Sequence, residues 1–335
     1  MFVLCFIAYL VALTITPQWS LQTSGVTARL RGISAVSERV VWASGSGSTV
    51  LRTEDGGASW KKLSVTSEPL DFRDVDAIDT HTAYLLSIGN GPASRIYKTV
   101  DGGAHWILQF QNDEGPAFAD AMSFWDADHG LVIGDSVAGK FWILTTSDGG
   151  RVWSRVPADG LPPALENEGA FAASGTNIAV QGNSNAWIGL GAASRARVLR
   201  TTDRGRTWKA FDTPIKSSQS AGIFSIAFRD AKHGVIVGGD YQKETEAVDN
   251  LALTSDGGET WTLTKGLTGF RSVVAYLPGT RTIVAIGPAG GDYSIDDGHT
   301  WTALAGPGFD TFSFVREKAI GWGAGARGTI GRLKF

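Results

Sequence analysis

One phrase recurs six times along this 335-residue chain: Ser/Thr-x-Asp-x-Gly-x-x-Trp. It runs Thr53–Trp60, Thr99–Trp106, Thr146–Trp153, Thr201–Trp208, Thr254–Trp261 and Ser294–Trp301. Each residue type has a job in a tight hairpin. The Asp carboxylate can accept turn N–H groups, and the Gly can take a positive φ that a side chain resists. The Trp offers a large apolar face to the next strand. The trailing Trp residues lie roughly 40–55 positions apart, a period that marks a propeller or solenoid built from one supersecondary unit. The repeat therefore fills the length as one array rather than as two ordinary domains.

Between its copies the units keep one order: a strand, a turn, a strand ending in Gly, a third strand, the phrase, and a Trp-led fourth strand. The first two strands are plainest in Ala121–Gly134 and Ser225–Gly238, which alternate, break at Asp-Ala-x-His-Gly and then run β-branched. Abundant Gly (43) and modest Pro (11) suit many short strands and tight turns. First strands fall near Arg31, Arg73, Asp120, Gly169, Phe224, Arg271 and Asp310. That is one more than the phrases, and the chain ends inside the last unit, where Gly328–Phe335 matches the third strand Ser48–Thr53. The missing fourth strand is at the other end: Trp19, within Pro17–Gln22, matches Trp60. The expected fold is thus all-β, a seven-bladed β-propeller spanning 17–335 whose N-terminal strand closes the last blade and removes the free edge.

Residues 1–16 carry no charged side chain, and the apolar run Phe2–Ile15 is short for a membrane span. It is read as a signal peptide, alternatively as a retained hydrophobic anchor, although it lacks a basic n-region and an Ala-x-Ala site before Pro17. An exported protein, periplasmic or extracellular, is expected, touching membrane only if this segment is uncleaved. The sole cysteine, Cys5, lies within it, so intrachain disulfides and cysteine metal sites are excluded. A formal charge of −3 gives no basic footprint for nucleic acid.

Chemistry has few candidates. All five histidines fall in turns: His129, His233 and His81 in equivalent hairpins, His105 and His299 at variable positions of the phrase. Catalytic or metal-binding histidine is therefore not expected, nor is any cofactor. Gly45-Ser-Gly47 leads into a strand, so no helix N-terminus waits there for phosphate. The phrase aspartates recur in every unit, whereas a site needs one pair. The informative positions are the starts of the innermost strands, which ring one mouth of a propeller's channel. There Arg31, Arg73 and Arg271 would converge on a carboxylate or phosphate, with Asp74, Asp120, Glu168 and Asp310 nearby. The competing reading is an Arg–carboxylate network that plugs the channel. Two inserts, Pro157–Glu168 and Gly239–Asn250, exceed the repeat and are expected on one face.

The recurring phrase resembles the Asp-box, or BNR repeat, of sialidases and other propellers. Further phrases, Asp71-Phe-Arg-Asp-Val75, Glu168-Gly-Ala-Phe171 and Ala221-Gly-Ile-Phe-Ser225, resemble the photosystem II stability/assembly factor family. That resemblance implies a non-enzymatic propeller holding a partner polypeptide on an Arg-rich face, with Arg31, Arg73 and Arg271 as the positions carried over. The sialidase likeness is narrower: Arg31-Gly-Ile33 stands where an Arg-Ile-Pro motif belongs, and no Tyr falls in the inner column.

Two functions follow as expectations. The first is a monomeric, exported, non-catalytic propeller binding a protein or peptide through Arg31, Arg73, Arg271, Asp120, Glu168 and Asp310. The alternative is a glycoside hydrolase acting on extracellular glycan, with Asp120 and Glu168, or Asp74 and Glu168, as the paired carboxylates.

Overall fold

The computed structural model describes residues 16–335, and the expected signal or anchor segment lies almost wholly outside them. Among the described residues the strands form seven four-stranded antiparallel sheets, each a blade. Blade one is typical: Leu30–Ala35 innermost, then Val41–Gly45, Thr49–Thr53 and Lys61–Leu63 outermost. In blade seven, Thr311–Phe314, Ile320–Ala324 and Ile330–Lys334 are completed by Gln18–Gln22, paired from Gln18↔Lys334 to Gln22↔Ile330. The fold is a seven-bladed β-propeller closed by its N-terminal strand, as the stray Trp19 predicts.

Closure is held by more than the ladder. The Trp19 ring lies 4.5 Å from Phe309 and edge-on to Phe312 at 6.0 Å, between the blade's sheet and its entry loop. Trp19→Ala is expected to cost about 2 kcal/mol, less than a fully buried Trp because this ring is only half-buried. Lower thermal stability with earlier proteolysis at the N-terminus would be the readout.

The recurring turn is a staple within and between blades. In the first copy, Thr53 Oγ1 accepts the Gly57 N–H (2.9 Å) and donates to Asp55 (2.7 Å), while Asp55 accepts the N–H (2.9 Å) and hydroxyl (2.6 Å) of Ser59. These bonds hold Asp55 and Asp101 below the usual carboxylate range, and Asp256 and Asp296 at about 2 despite the opposing effect of burial. The turn then docks on the preceding blade. Gly103 has φ +86°, and a Cβ there would stand 2.5 Å from Leu63 and 3.2 Å from Trp42, so only Gly fits. Likewise Trp187 Nε1 and Tyr84 Oη donate to the carbonyls of Gly257 (2.7 Å) and Gly149 (2.8 Å) in the next blade's turn.

Inner strands are tied around the ring by a second device. Side chains of one blade accept backbone N–H groups of the next: Ser34 from Ala77 (3.1 Å), Asp74 from Met122 (2.8 Å), Asp76 from Phe124 (3.0 Å), Ser225 from Val274 (2.9 Å) and Ser313 from Ala35 (3.2 Å). Apolar clusters fill the wedges between sheets, for example Leu30, Val41 and Leu51 of blade one with Trp322 and Ile330 of blade seven.

Candidate functional site

The inner strands start at the mouth and run away from it, so the recurring turns, which follow each third strand, lie at the opposite end. Register shows this: Ala35, at the far end of its strand, pairs with Val41, which pairs with Thr53 at the turn. In blades one, two, three and five the register slips at the start of the inner strand, and the unpaired residues are Arg31, Arg73, Asp120 and Phe224. A bulge re-aims the side chain it carries. Here it turns four residues of the expected column into the channel mouth, where all four line one cavity of about 490 Å³.

Blade six departs from the expected column. The N–H groups of Leu30, Arg271 and Phe309 each donate to the carbonyl closing the second strand of the preceding blade, at Gly325 (3.0 Å), Gly238 (3.1 Å) and Gly287 (3.1 Å). Arg271 is thus equivalent to Leu30, and Ser272 takes the place of Arg31. One residue of slip flips a side chain to the other face. The Arg271 guanidinium turns into the blade, 1% exposed, and donates to Asp292 through Nε (2.8 Å), to the Phe270 carbonyl (2.8 Å) and to Thr268 Oγ1 (2.6 Å). It does not reach the mouth.

Blade four departs further. Its inner strand is Ile178–Gln181, and the segment from Gly169 to Asn177, expected to begin it, crosses the mouth instead. Gly169 bridges Gly191, and from there the segment touches the other blades in turn. Arg31 Nη1 donates to the Ala173 carbonyl (3.3 Å) and Arg73 Nη1 to the Ala172 carbonyl (2.8 Å). Ser174 Oγ donates to the Ser272 carbonyl (2.7 Å), Thr311 Oγ1 to the Ser174 carbonyl (3.0 Å), and Ile226 N–H to the Thr176 carbonyl (3.0 Å). The channel is therefore plugged, but by backbone held on arginines rather than by an Arg–carboxylate network.

Of the carboxylates expected to act in pairs, Glu168 and Asp74 are already engaged. Glu168, 1% exposed, is ion-paired with Arg197 and accepts the Leu165 N–H (2.8 Å), anchoring the first insert away from the mouth cavity. Asp74 is the inter-blade staple to Met122, and burial pushes it well above the usual carboxylate range. Asp120 is 2% exposed with Oδ2 unpartnered; burial and then the neighbouring Asp135 raise it well above that range, against Arg73 and the Ala172 N–H. A facing pair across the channel, one protonated acid and one ionised carboxylate as glycosidase chemistry needs, is not assembled from these three, because Asp74 and Glu168 are engaged within the fold. Asp310 does face the cavity, held by a residue the sequence reading missed: Arg29 donates through Nε (2.8 Å) and Nη2 (2.6 Å).

Also missed was an aromatic wall. Phe171 of the plug stacks on Phe224 at 4.0 Å, Phe270 meets Phe224 edge-on at 4.7 Å, and Tyr241 of the second insert stands at 6.1 Å, 46% exposed. These rings belong to three blades and an insert, so no local pattern joins them. The mouth has two sides: Arg29, Arg31, Arg73, Asp120 and Asp310 with Phe118 from blades seven, one, two and three, and the rings from four, five and six with Tyr241 and Glu244 of the second insert. Arg31 is depressed to about 10, chiefly by burial and then by Arg73, and no carboxylate lies within ion-pair distance of it among the described residues. Those residues contain no cluster of three or more His, Cys, Asp or Glu side chains suited to a metal.

No family model matches the chain, and no curated protein sequence matches it. Among solved structures it is similar to YCF48 bound to D1 peptide, with a TM-score of 0.67 and 18% identity over 95% of this chain and 97% of that one. YCF48 from Cyanidioschyzon merolae gives 0.66 and 18% over 94% and 98%. Selenomethionine-substituted virginiamycin B lyase from Staphylococcus aureus gives 0.62 and 12% over 96% and 99%. A lyase and a peptide-bound protein share this architecture, so function has to be argued from the site. What the likenesses establish is the fold, a seven-bladed β-propeller built like those of YCF48.

Proposed function

We propose that the protein is a non-catalytic binding propeller whose plugged mouth holds an extended segment of a partner protein or peptide, and that it acts after export. The observation that carries this reading is the two-sided mouth: guanidiniums facing a wall of aromatic rings across one cavity of about 490 Å³. Rings supply apolar contact at low entropic cost, and Arg supplies directed donors, the pairing that dominates peptide and protein recognition. The likeness to a propeller solved with a bound peptide supports the same reading. The engaged states of Asp74 and Glu168 weigh against the glycosidase alternative.

A selection of random displayed peptides on the full chain tests it. Binders are expected, and Tyr241→Glu, at an exposed rim position, should weaken them by about tenfold because it removes ring contact and adds repulsive charge for acidic ligands. Binders indifferent to Tyr241→Glu would place recognition elsewhere, and failure to select any would remove the reading.

A further inference from the structure

We propose that the mouth recognises a free carboxylate attached to an apolar or aromatic body, as at the C-terminus of a peptide ending in such a residue. The inference rests on the reading of the mouth as a peptide site and adds which part of the peptide enters it.

Arg31 is half-buried, where a guanidinium is normally paired with a carboxylate. Other arginines of the described residues are so paired: Arg29 is forked onto Asp310, Arg95 onto Glu68, Arg197 onto Glu168 and Arg271 onto Asp292. Arg73 keeps Asp71 at 3.0 Å. Among the described residues Arg31 has a single side-chain bond, 3.3 Å to the Ala173 carbonyl, and it lines the cavity. Its donors are left for a planar acceptor, the geometry in which Arg outperforms Lys.

Asp120, one blade beyond Arg73 on the same cavity, forms no ion pair among the described residues, and its buried Oδ2 has no partner. A carboxyl held in its neutral form can donate to an incoming carboxylate rather than repel it. The anion's position thus has Arg31 and the unpartnered Asp120 Oδ2 on one side, beside Asp310 already held by Arg29, and Phe171, Phe224, Phe270 and Tyr241 with Glu244 on the other. A phosphate or sulfate would use the arginines and leave the rings idle. A carboxylate with an adjacent apolar side chain engages both halves.

The ligand's carboxylate could belong to a peptide terminus or to a small aromatic acid, and three probes separate these sources. Calorimetry on the full chain would compare Gly-Gly-Phe with a free carboxylate, the same tripeptide as its amide, and 3-phenylpropionate. The acid peptide should bind about tenfold or more tighter than the amide, the loss expected when one charge-assisted contact goes. Arg31→Gln, which retains a donor for Ala173, should bring the acid down to the amide's level while leaving the amide unchanged. Matched affinities of 3-phenylpropionate and the acid peptide would assign the site to small acids and reject the peptide terminus. Equal binding of acid and amide would overturn the carboxylate inference while leaving peptide binding at the mouth intact. Displayed libraries with free C-termini and with embedded peptides make the same division: binders confined to the free-ended library support the inference, binders equal in both sink it, and none in either removes the parent reading. Circular dichroism of Arg31→Gln guards against loss of fold.

Discussion

Arg271→Ala should destabilise the propeller by about 3–5 kcal/mol and leave ligand binding at the mouth unchanged. The size follows from what is left behind. Asp292 is 0% exposed, and its partners are Arg271 and Thr268. Removing the guanidinium strands a charge in the blade, the costly case for a buried pair. Replacing both partners with apolar residues, Arg271→Met with Asp292→Leu, should recover most of the loss, because desolvation of the pair offsets much of its attraction. Differential scanning calorimetry of the two variants and wild type measures this. A single variant that kept its melting temperature but lost binding would return Arg271 to the mouth.

Arg271 also shows where a sequence reading of this chain gives out. The recurring turn is legible because its bonds are local: Thr53, Asp55, Gly57 and Ser59 satisfy one another within seven positions, and the same chemistry repeats in each copy. Trp19 is legible because an orphan of a counted repeat has one place to go. The inner column depends on a bulge, and a bulge leaves no mark in the alternation that locates a strand. Arg31, Arg73, Asp120 and Phe224 fall on it, whereas at Arg271 an offset of one position exchanges channel for core. The plug is hidden for a different reason. Gly169-Ala-Phe-Ala-Ala-Ser-Gly-Thr-Asn177 reads locally as a strand start and a turn, and its identity lies in bonds to Arg31, Arg73, Ser272 and Thr311, up to 142 positions away. Glu168 reads as one of the mouth carboxylates, but its partner Arg197 comes from a later strand and makes it an anchor.

The second large effect concerns pH. Asp76 lies at the end of the channel opposite the plug, beside Ser34, Ser313 and Arg316. Burial raises it to about 6, against the Phe124 N–H and the Arg316 charge; burial also raises Asp135, beside the mouth, to about 6. For such a carboxyl the folded state binds the proton more tightly than the unfolded chain does. Its contribution is therefore intact below the unfolded value near 4 and is lost as pH rises through 4 to 6. The turn aspartates act in the opposite sense: Asp256 and Asp296, at about 2, add stability as pH rises from 2 to 4. The protein should accordingly be most stable near pH 4 and weaken toward neutrality. Raising a carboxyl from near 4 to about 6 corresponds to about 3 kcal/mol of penalty for the charged form. Asp76→Asn keeps an acceptor for the Phe124 N–H and removes the charge, so it should stabilise by about 2–3 kcal/mol at pH 8 and by close to nothing at pH 4. Denaturant unfolding of wild type and variant at both pH values would show the divergence. Equal stabilities at pH 8 would mean that the channel floor is hydrated enough to carry Asp76 ionised without cost.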